Sequence, residues 1–201
     1  LLEGLSKGTQ SKVQLSNVQG WLSGKATDRH ILLKNTDTSA ALTLNDGSSG
    51  GGVKTSEFAG SIGGSGDIVF NWSTDSSNTT QRHLFSGDTS TWSGKFINQD
   101  CNTMTMMVEF SKSGNVFNST VDGGGILNKN AQTTNSNKSG GTMLVKFNRS
   151  DTIDFYGTIG KEQGASGVDV EIAQNSVNFH KAIEVDSITV ANNASATLIS
   201  T

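Results

Sequence analysis

Proline is absent from the 201 residues, and cysteine occurs once, at Cys101. An average composition would supply about 5% proline, so collagen and Pro-rich linkers are excluded. The absence suits a chain whose residues mostly lie in or beside strands, where a missing N–H would interrupt a ladder. A single thiol closes no intramolecular disulfide and builds no Cys-rich zinc site, which removes the small disulfide-stapled scaffold. Charge is also scarce: charged residues make up 16% and the net charge is −3, against about 25% charged in an average domain. A highly charged disordered tail is excluded. With no cluster of Lys and Arg, nothing supplies the electrostatic footprint that a phosphate backbone requires, so no nucleic-acid partner is expected. No apolar run reaches the roughly 18 residues of a membrane-crossing helix, and the opening LLEGLSKGTQSK has neither the basic nor the apolar region of a secretory signal. As given the chain reads as soluble, and any signal, barrel or membrane anchor is expected outside this segment.

What the chain has in excess is glycine, 24 residues, together with Ser, Thr and Asn, while the hydrophobic set reaches only 33%. Apolar residues recur at every second position in Val13/Leu15, Leu42/Leu44, Ile68/Phe70/Trp72, Met104/Met106/Val108/Phe110, Met143/Val145/Phe147, Val168/Val170/Ile172, Ile183/Val185 and Ile188/Val190. Each run predicts a strand with one buried and one polar face. No window carries a helical stripe. Clusters rich in Gly, Ser, Asn and Asp separate the runs and predict loops near 45–56, 74–82 and 129–142.

Self-comparison adds a repeat. A Phe followed four residues later by a small or β-branched residue occurs at Phe58/Ile62, Phe85/Thr89, Phe117/Val121, Phe155/Ile159 and Phe179/Ile183, and Trp21-Leu22-Ser23-Gly24-Lys25 echoes Trp92-Ser93-Gly94-Lys95. Strand–turn–strand texture between echoes of uneven spacing reads as a solenoid with loop insertions. The predicted fold class is all-β, a right-handed parallel β-helix with irregular coils of roughly 20–38 residues, forming one segment over 1–201. A low hydrophobic content fits, because such a coil needs only one narrow apolar column. At about 25 residues and ~4.8 Å per coil, the chain makes on the order of eight coils.

The stretch from Phe58-Ala59-Gly60-Ser61-Ile62-Gly63-Gly64-Ser65-Gly66 to Leu84-Phe85-Ser86-Gly87-Asp88-Thr89-Ser90-Thr91-Trp92-Ser93-Gly94 resembles the autotransporter-associated β-strand repeat. Phe155 to Gly160 is a partial second copy. The chain departs from the family pattern at Asp88 and in its irregular spacing. The resemblance implies the passenger region of a Gram-negative autotransporter or a related large surface protein, located at the cell surface or secreted, with a membrane barrel elsewhere in the parent protein.

Candidate chemistry is sparse. His30, His83 and His180 stand at no metal-ligand spacing and read as ordinary surface or loop residues. Asp169 and Glu171 flank Val170 on one outward strand face, about 7 Å apart, within the range of an inverting glycosidase pair; a solvated face is the simpler reading. Asp151 and Asp154 have the oxygen chemistry of a calcium loop without its motif, so turn chemistry explains them. The Gly runs at 50–52, 63–66 and 123–125 precede no helix and no GK[ST] ending, which argues against phosphate cradling. N-x-[ST] sequons begin at Asn71, Asn78, Asn118, Asn137, Asn148 and Asn193 and are expected from composition alone. Cys101 reads as a small packed side chain. Trp72 is in phase with a core face, whereas Trp92 is the better candidate for an exposed ring that stacks on sugar.

No catalytic, cofactor-binding or metal-binding residue is therefore assigned, and no cofactor is expected. The expected function is adhesion or a structural surface rod without catalysis, with a glycan or other surface ligand, or another copy joined through the solenoid ends, as partner. The alternatives are a polysaccharide-degrading lyase or glycosidase, for which only Arg29, Arg82 and Arg149 are available as arginines and no acidic cluster faces them in sequence, and a self-stacking filament or stalk subunit.

Overall fold

A computed structural model of the chain describes residues 52–72, 79–100, 105–130 and 142–199, together with strand segments at 2–3, 13–16, 31–33 and 40–46. Among these residues there is no helix, and the architecture is all-β with parallel strands in stacked sheets. In chain order the strands are β1 (Leu2–Glu3), β2 (Val13–Ser16), β3 (Ile31–Leu33), β4 (Ala40–Asp46), β5 (Gly52–Phe58), β6 (Ile62–Gly64), β7 (Asp67–Trp72), β8 (Thr79–Phe85), β9 (Thr91–Trp92) and β10 (Lys95–Asp100). They continue as β11 (Thr105–Phe110), β12 (Gly114–Val116), β13 (Gly125–Asn128), β14 (Met143–Phe147), β15 (Ile153–Phe155), β16 (Thr158–Lys161), β17 (Val168–Ile172), β18 (Ser176–Phe179), β19 (Ser187–Val190) and β20 (Ser195–Leu198).

From β4 to β18 the strands recur in threes, and each group feeds the same faces in the same order. Sheet I has the order β1-β3-β6-β9, sheet II β16-β13-β10-β7-β4-β2, sheet III β19-β17-β14-β11-β8-β5 and sheet IV β12-β15-β18-β20. An isolated parallel bridge, Thr89 to Val116, joins sheets I and IV, and a second, Ile159 to Ile183, continues sheet II. All described partners run parallel, with register shifts between Ala40 and Leu42 and between Asn98 and Asp100 in sheet II, and in sheet III, where the register is unbroken, each inward position repeats as a column. In sheet III one column runs Ser56, His83, Val108, Val145, Val170 and Ile188, and the next runs Phe58, Phe85, Phe110, Phe147, Ile172 and Val190.

The second column forms an aromatic stack. Phe58 lies on Phe85 at 4.7 Å between centroids, Phe85 on Phe110 at 5.3 Å and Phe110 on Phe147 at 5.7 Å. Phe155 and Phe179 meet it edge-on from sheet IV. The repeat expected from sequence is thereby re-registered. Phe58 and Phe85 end strands of sheet III, Phe155 and Phe179 end strands of sheet IV, and Phe117 sits past β12 with a positive φ of 65°. One local motif, an aromatic ending a strand before a tight corner, serves two different corners.

The glycines of the motif have a packing reason. A Cβ on Gly87 would lie 1.9 Å from the carbonyl oxygen of Gly60, and one on Gly94 would lie 2.0 Å from that of Gly66. Successive corners stack backbone on backbone, and a side chain there has no room.

Several expectations are corrected. The loops expected at 45–56 and 74–82 overlap strands, since β4 runs to Asp46, β5 starts at Gly52 and β8 starts at Thr79. β8, TTQRHLF, lacks apolar alternation because its inward positions carry Gln81 and His83, both fully buried. Ile183/Val185 contributes a bridge and two partly buried side chains rather than a strand. Ile188 and Val190 are strand residues as expected, but each is 42% exposed. Most of the loop expected at 129–142 lies outside the described residues.

Candidate functional site

The sheets present two places where side chains of different chemistry converge. The first is the outward face of sheet III. Parallel register pairs Arg82 with Met107, so Glu109 lies on the adjacent strand two positions out of line, and the long guanidinium side chain closes the gap, with Nε donating to Glu109 Oε2 at 2.7 Å. Asn148 donates to the other carboxylate oxygen at 2.9 Å. Burial would raise the Glu109 carboxyl, but the hydrogen bonds from Arg82 and Asn148 outweigh it and hold the group below the ordinary glutamate value. One strand further, Lys146 Nζ donates to Glu171 Oε1 at 2.7 Å, and Ser187 Oγ donates to Asp169. The two carboxylates singled out in sequence are thus each tied to a neighbouring strand. Their arrangement is that of cross-strand pairing.

The second place is a groove of about 530 Å³ beside sheet IV. Its floor is built by the residues that follow β15 and β18. Tyr156 N donates to Val116 O at 2.9 Å and His180 N to Phe155 O at 3.0 Å, so the ladder itself sets both residues in line. Their rings stack at 4.1 Å with 14° between planes. Asp154 Oδ1 lies 3.0 Å from His180 Nε2 and accepts from Asn178 Nδ2 at 2.9 Å, and these hydrogen bonds hold the Asp154 carboxyl below its usual range.

The wall of the groove is the segment from Ser119 to Asp122. Phe117 anchors its start, fully buried with its ring 5.0 Å from Trp92 and 5.5 Å from Phe155. A left-handed φ is uncommon for a bulky aromatic residue, and here two glycines make the seat. A Cβ on Gly157 would meet the Phe117 ring at 2.6 Å, and one on Gly124 would meet it at 3.0 Å. Asn118 then turns the chain, its Oδ1 accepting from Thr120 N at 2.9 Å and Thr120 Oγ1 at 2.8 Å. Wall and floor are clasped by Lys181 Nζ, which donates to Asp122 Oδ1 at 2.8 Å across 59 residues of chain. That hydrogen bond and the ammonium charge hold the Asp122 carboxyl below its ordinary value.

The histidines separate. His180 lies in the groove. His83, expected on the surface or in a loop, is fully buried 4.5 Å from Phe70 and 5.1 Å from Phe96, and neither ring nitrogen has a hydrogen-bond partner. Burial lowers its pKa to about 3, which keeps the ring neutral. Trp92, expected to be exposed, is fully buried, and its Nε1 donates to Gly66 O at 2.9 Å. Sheet register brings it beneath Phe117, a contact that its own neighbours in sequence do not foretell. Asp151 pairs with Arg149 at 3.5 Å, apart from the groove chemistry of Asp154. His30, Arg29, Trp21, Cys101 and the side chain of Trp72 lie outside the described residues.

Sequence reasoning missed Tyr156, Lys181 and Asp122 altogether. The only sequence signal was the Asn-Ser-Thr-Val-Asp-Gly-Gly-Gly run at 118–125, a turn cluster following an aromatic residue. Among the described residues no group of three or more His, Cys, Asp or Glu side chains is placed to hold a metal ion. No protein-family model, no curated protein and no solved structure matches this chain.

Proposed function

We propose that the chain is a segment of a bacterial cell-surface or secreted right-handed parallel β-helix of the autotransporter-passenger type, acting in adhesion or as a structural surface rod without catalysis. The carrying observation is that strands recur in threes, each pairing in parallel with its counterpart in the next group, from β4 through β18. A chain wound repeatedly around one axis has that pairing pattern, and right-handed crossover is the strongly preferred sense for parallel strands. In such an array each turn contacts only its neighbours, so length adds reach without adding core width. The polar side chains on the outer faces tie turn to turn, as Arg82 does with Glu109 and Lys146 with Glu171, which is a use in scaffolding. The motif resemblance at Phe58 to Gly94 supports the surface assignment.

A second reading is end-to-end self-stacking, because unpaired strand edges recruit further strands. Labelling intact source cells with an antibody to this chain, with and without external protease, tests the surface assignment: protease-sensitive labelling is expected, and signal only after lysis overturns it. Sedimentation against concentration separates a monomeric rod from stacked copies.

A further inference from the structure

The groove between Ser119–Asp122 and the Tyr156–His180 pair is built with more constraint than a surface crease needs. Its wall starts from a buried Phe117 in a left-handed conformation, φ 65°, which is costly for an aromatic residue and is maintained by the space that Gly124 and Gly157 leave open. Its floor is an aromatic pair positioned by backbone ladder bonds, with a carboxylate behind the imidazole. Wall and floor are joined by the Lys181–Asp122 ion pair. The volume, about 530 Å³, falls within the range of about 300–1,000 Å³ typical of small-ligand sites.

The chemistry of the lining narrows the ligand. Tyr156 and His180 cover one ring face of each other, which leaves the outer side of the stack and its ring edges for the apolar side of a ligand. The hydroxyls of Ser119 and Thr158 and the Lys181–Asp122 pair offer donors and acceptors along the rim. The one cation of the lining, Lys181, is neutralised by Asp122, and Asp154 sits behind His180, so the groove holds no spare positive charge for an anion. An aromatic surface edged by hydroxyls and an ion pair, without spare positive charge, suits a neutral pyranose better than an anion.

We propose that this groove is a saccharide-binding site that takes a neutral, hydroxyl-rich sugar, its ring lying against the Tyr156–His180 pair and its hydroxyls bridging to Lys181 and Asp122. The choice of a glycan over a free metabolite rests on the surface reading above. Unlike a catalytic pair, the carboxylates here are engaged by Lys181 and by Asn178 with His180, and they serve recognition.

The test uses the full chain, screened against immobilised neutral oligosaccharides ending in glucose, galactose or mannose and against sialylated and uronate-containing ones, followed by titration calorimetry with the best binder. Binding to a neutral sugar is expected. It should weaken at least ten-fold in His180→Ala and in Asp122→Ala. Asp122 is fully exposed, so its truncation leaves the fold intact, and an unchanged thermal melt verifies this. Tyr156→Phe, which keeps the ring, should retain most of the binding. Three results each overturn the proposal: no sugar bound, acidic sugars alone bound, or neutral-sugar affinity unchanged in the well-folded Asp122→Ala variant. Failure of the surface reading is scored separately by labelling intact cells, so a surface-labelled protein that binds no sugar refutes the groove assignment alone.

Discussion

Acid should weaken this fold well before its carboxylates protonate, because of His83. The ring is fully buried among Phe58, Phe70 and Phe96, without a hydrogen-bond partner, and its pKa falls from 6.5 in the unfolded chain to about 3. The unfolded state therefore takes up a proton that the folded state refuses, so His83 favours folding fully above about pH 6.5, and that contribution declines as pH falls toward 3. Each pH unit in that window costs about 1.4 kcal/mol, which gives a loss of about 2 kcal/mol at pH 5 and about 3 kcal/mol at pH 4. Between pH 7 and pH 5 Asp154 and Glu109, held below their ordinary values of 3.8 and 4.5, contribute little, and Asp67, raised by burial, takes up its proton first in the folded state and so opposes the loss. The assay is urea unfolding of wild type and His83→Leu at half-unit pH intervals. Leucine removes two unpaired buried nitrogens at similar volume, so the variant should equal or exceed wild type at pH 7.5 and should lack the His83 part of the acid loss. Parallel stability curves for the two proteins from pH 7 to 4.5, or a folded-state His83 resonance titrating near 6.5, would show that the ring is not held as described.

Three further outcomes follow from the packing. Gly87→Ala places a methyl 1.9 Å from a backbone oxygen of the preceding corner, so backbone must move, and a loss of more than about 3 kcal/mol is expected; Gly160→Ala, where a Cβ meets nothing within 4 Å, is the control, and equal melts for the two would refute the stacked-corner argument. Phe110→Ala removes a ring stacked between Phe85 and Phe147, with about 3–5 kcal/mol lost in denaturant titration, and a loss below about 1 kcal/mol would contradict a continuous aromatic column. Arg82→Ala strips Glu109, whose side chain is 3% exposed, of its cation, and should cost about 1.5–3 kcal/mol near neutral pH. Because the Glu109 carboxyl lies below its unfolded value of 4.5 in the wild type, the stabilisation it brings is present above that pH and lost as pH falls through the folded value; the variant should lose this dependence.

Strand character could be read from single stretches of chain. In β14 and β17 the alternation Met143/Val145/Phe147 and Val168/Val170/Ile172 is complete, because every inward position is apolar and the two-residue period of a strand is a property of the backbone itself. The glycines after Phe58 and Phe85 were visible as a motif, though their purpose, the close approach of one corner to the next, was not. The groove was not legible: its clasp joins residues 59 apart, and nothing about Asp122 or Lys181 in its own neighbourhood marks it for the other.

By itself, then, the order of amino acids determined an all-β chain with little charge, no disulfide within these residues and strands of one-sided hydrophobicity, since those depend on composition and on a period of two. Only the tertiary structure decided which strands are neighbours, that His83 and Trp92 are interior, and that Phe110 and Phe147, rather than Phe117 or Phe155, continue the stack begun by Phe58 and Phe85. The physical reason is that parallel pairing brings together residues 18 to 39 positions apart, with a separation that differs from one pair of turns to the next. A partner at a variable distance leaves no trace in any local window, whereas a face that alternates does.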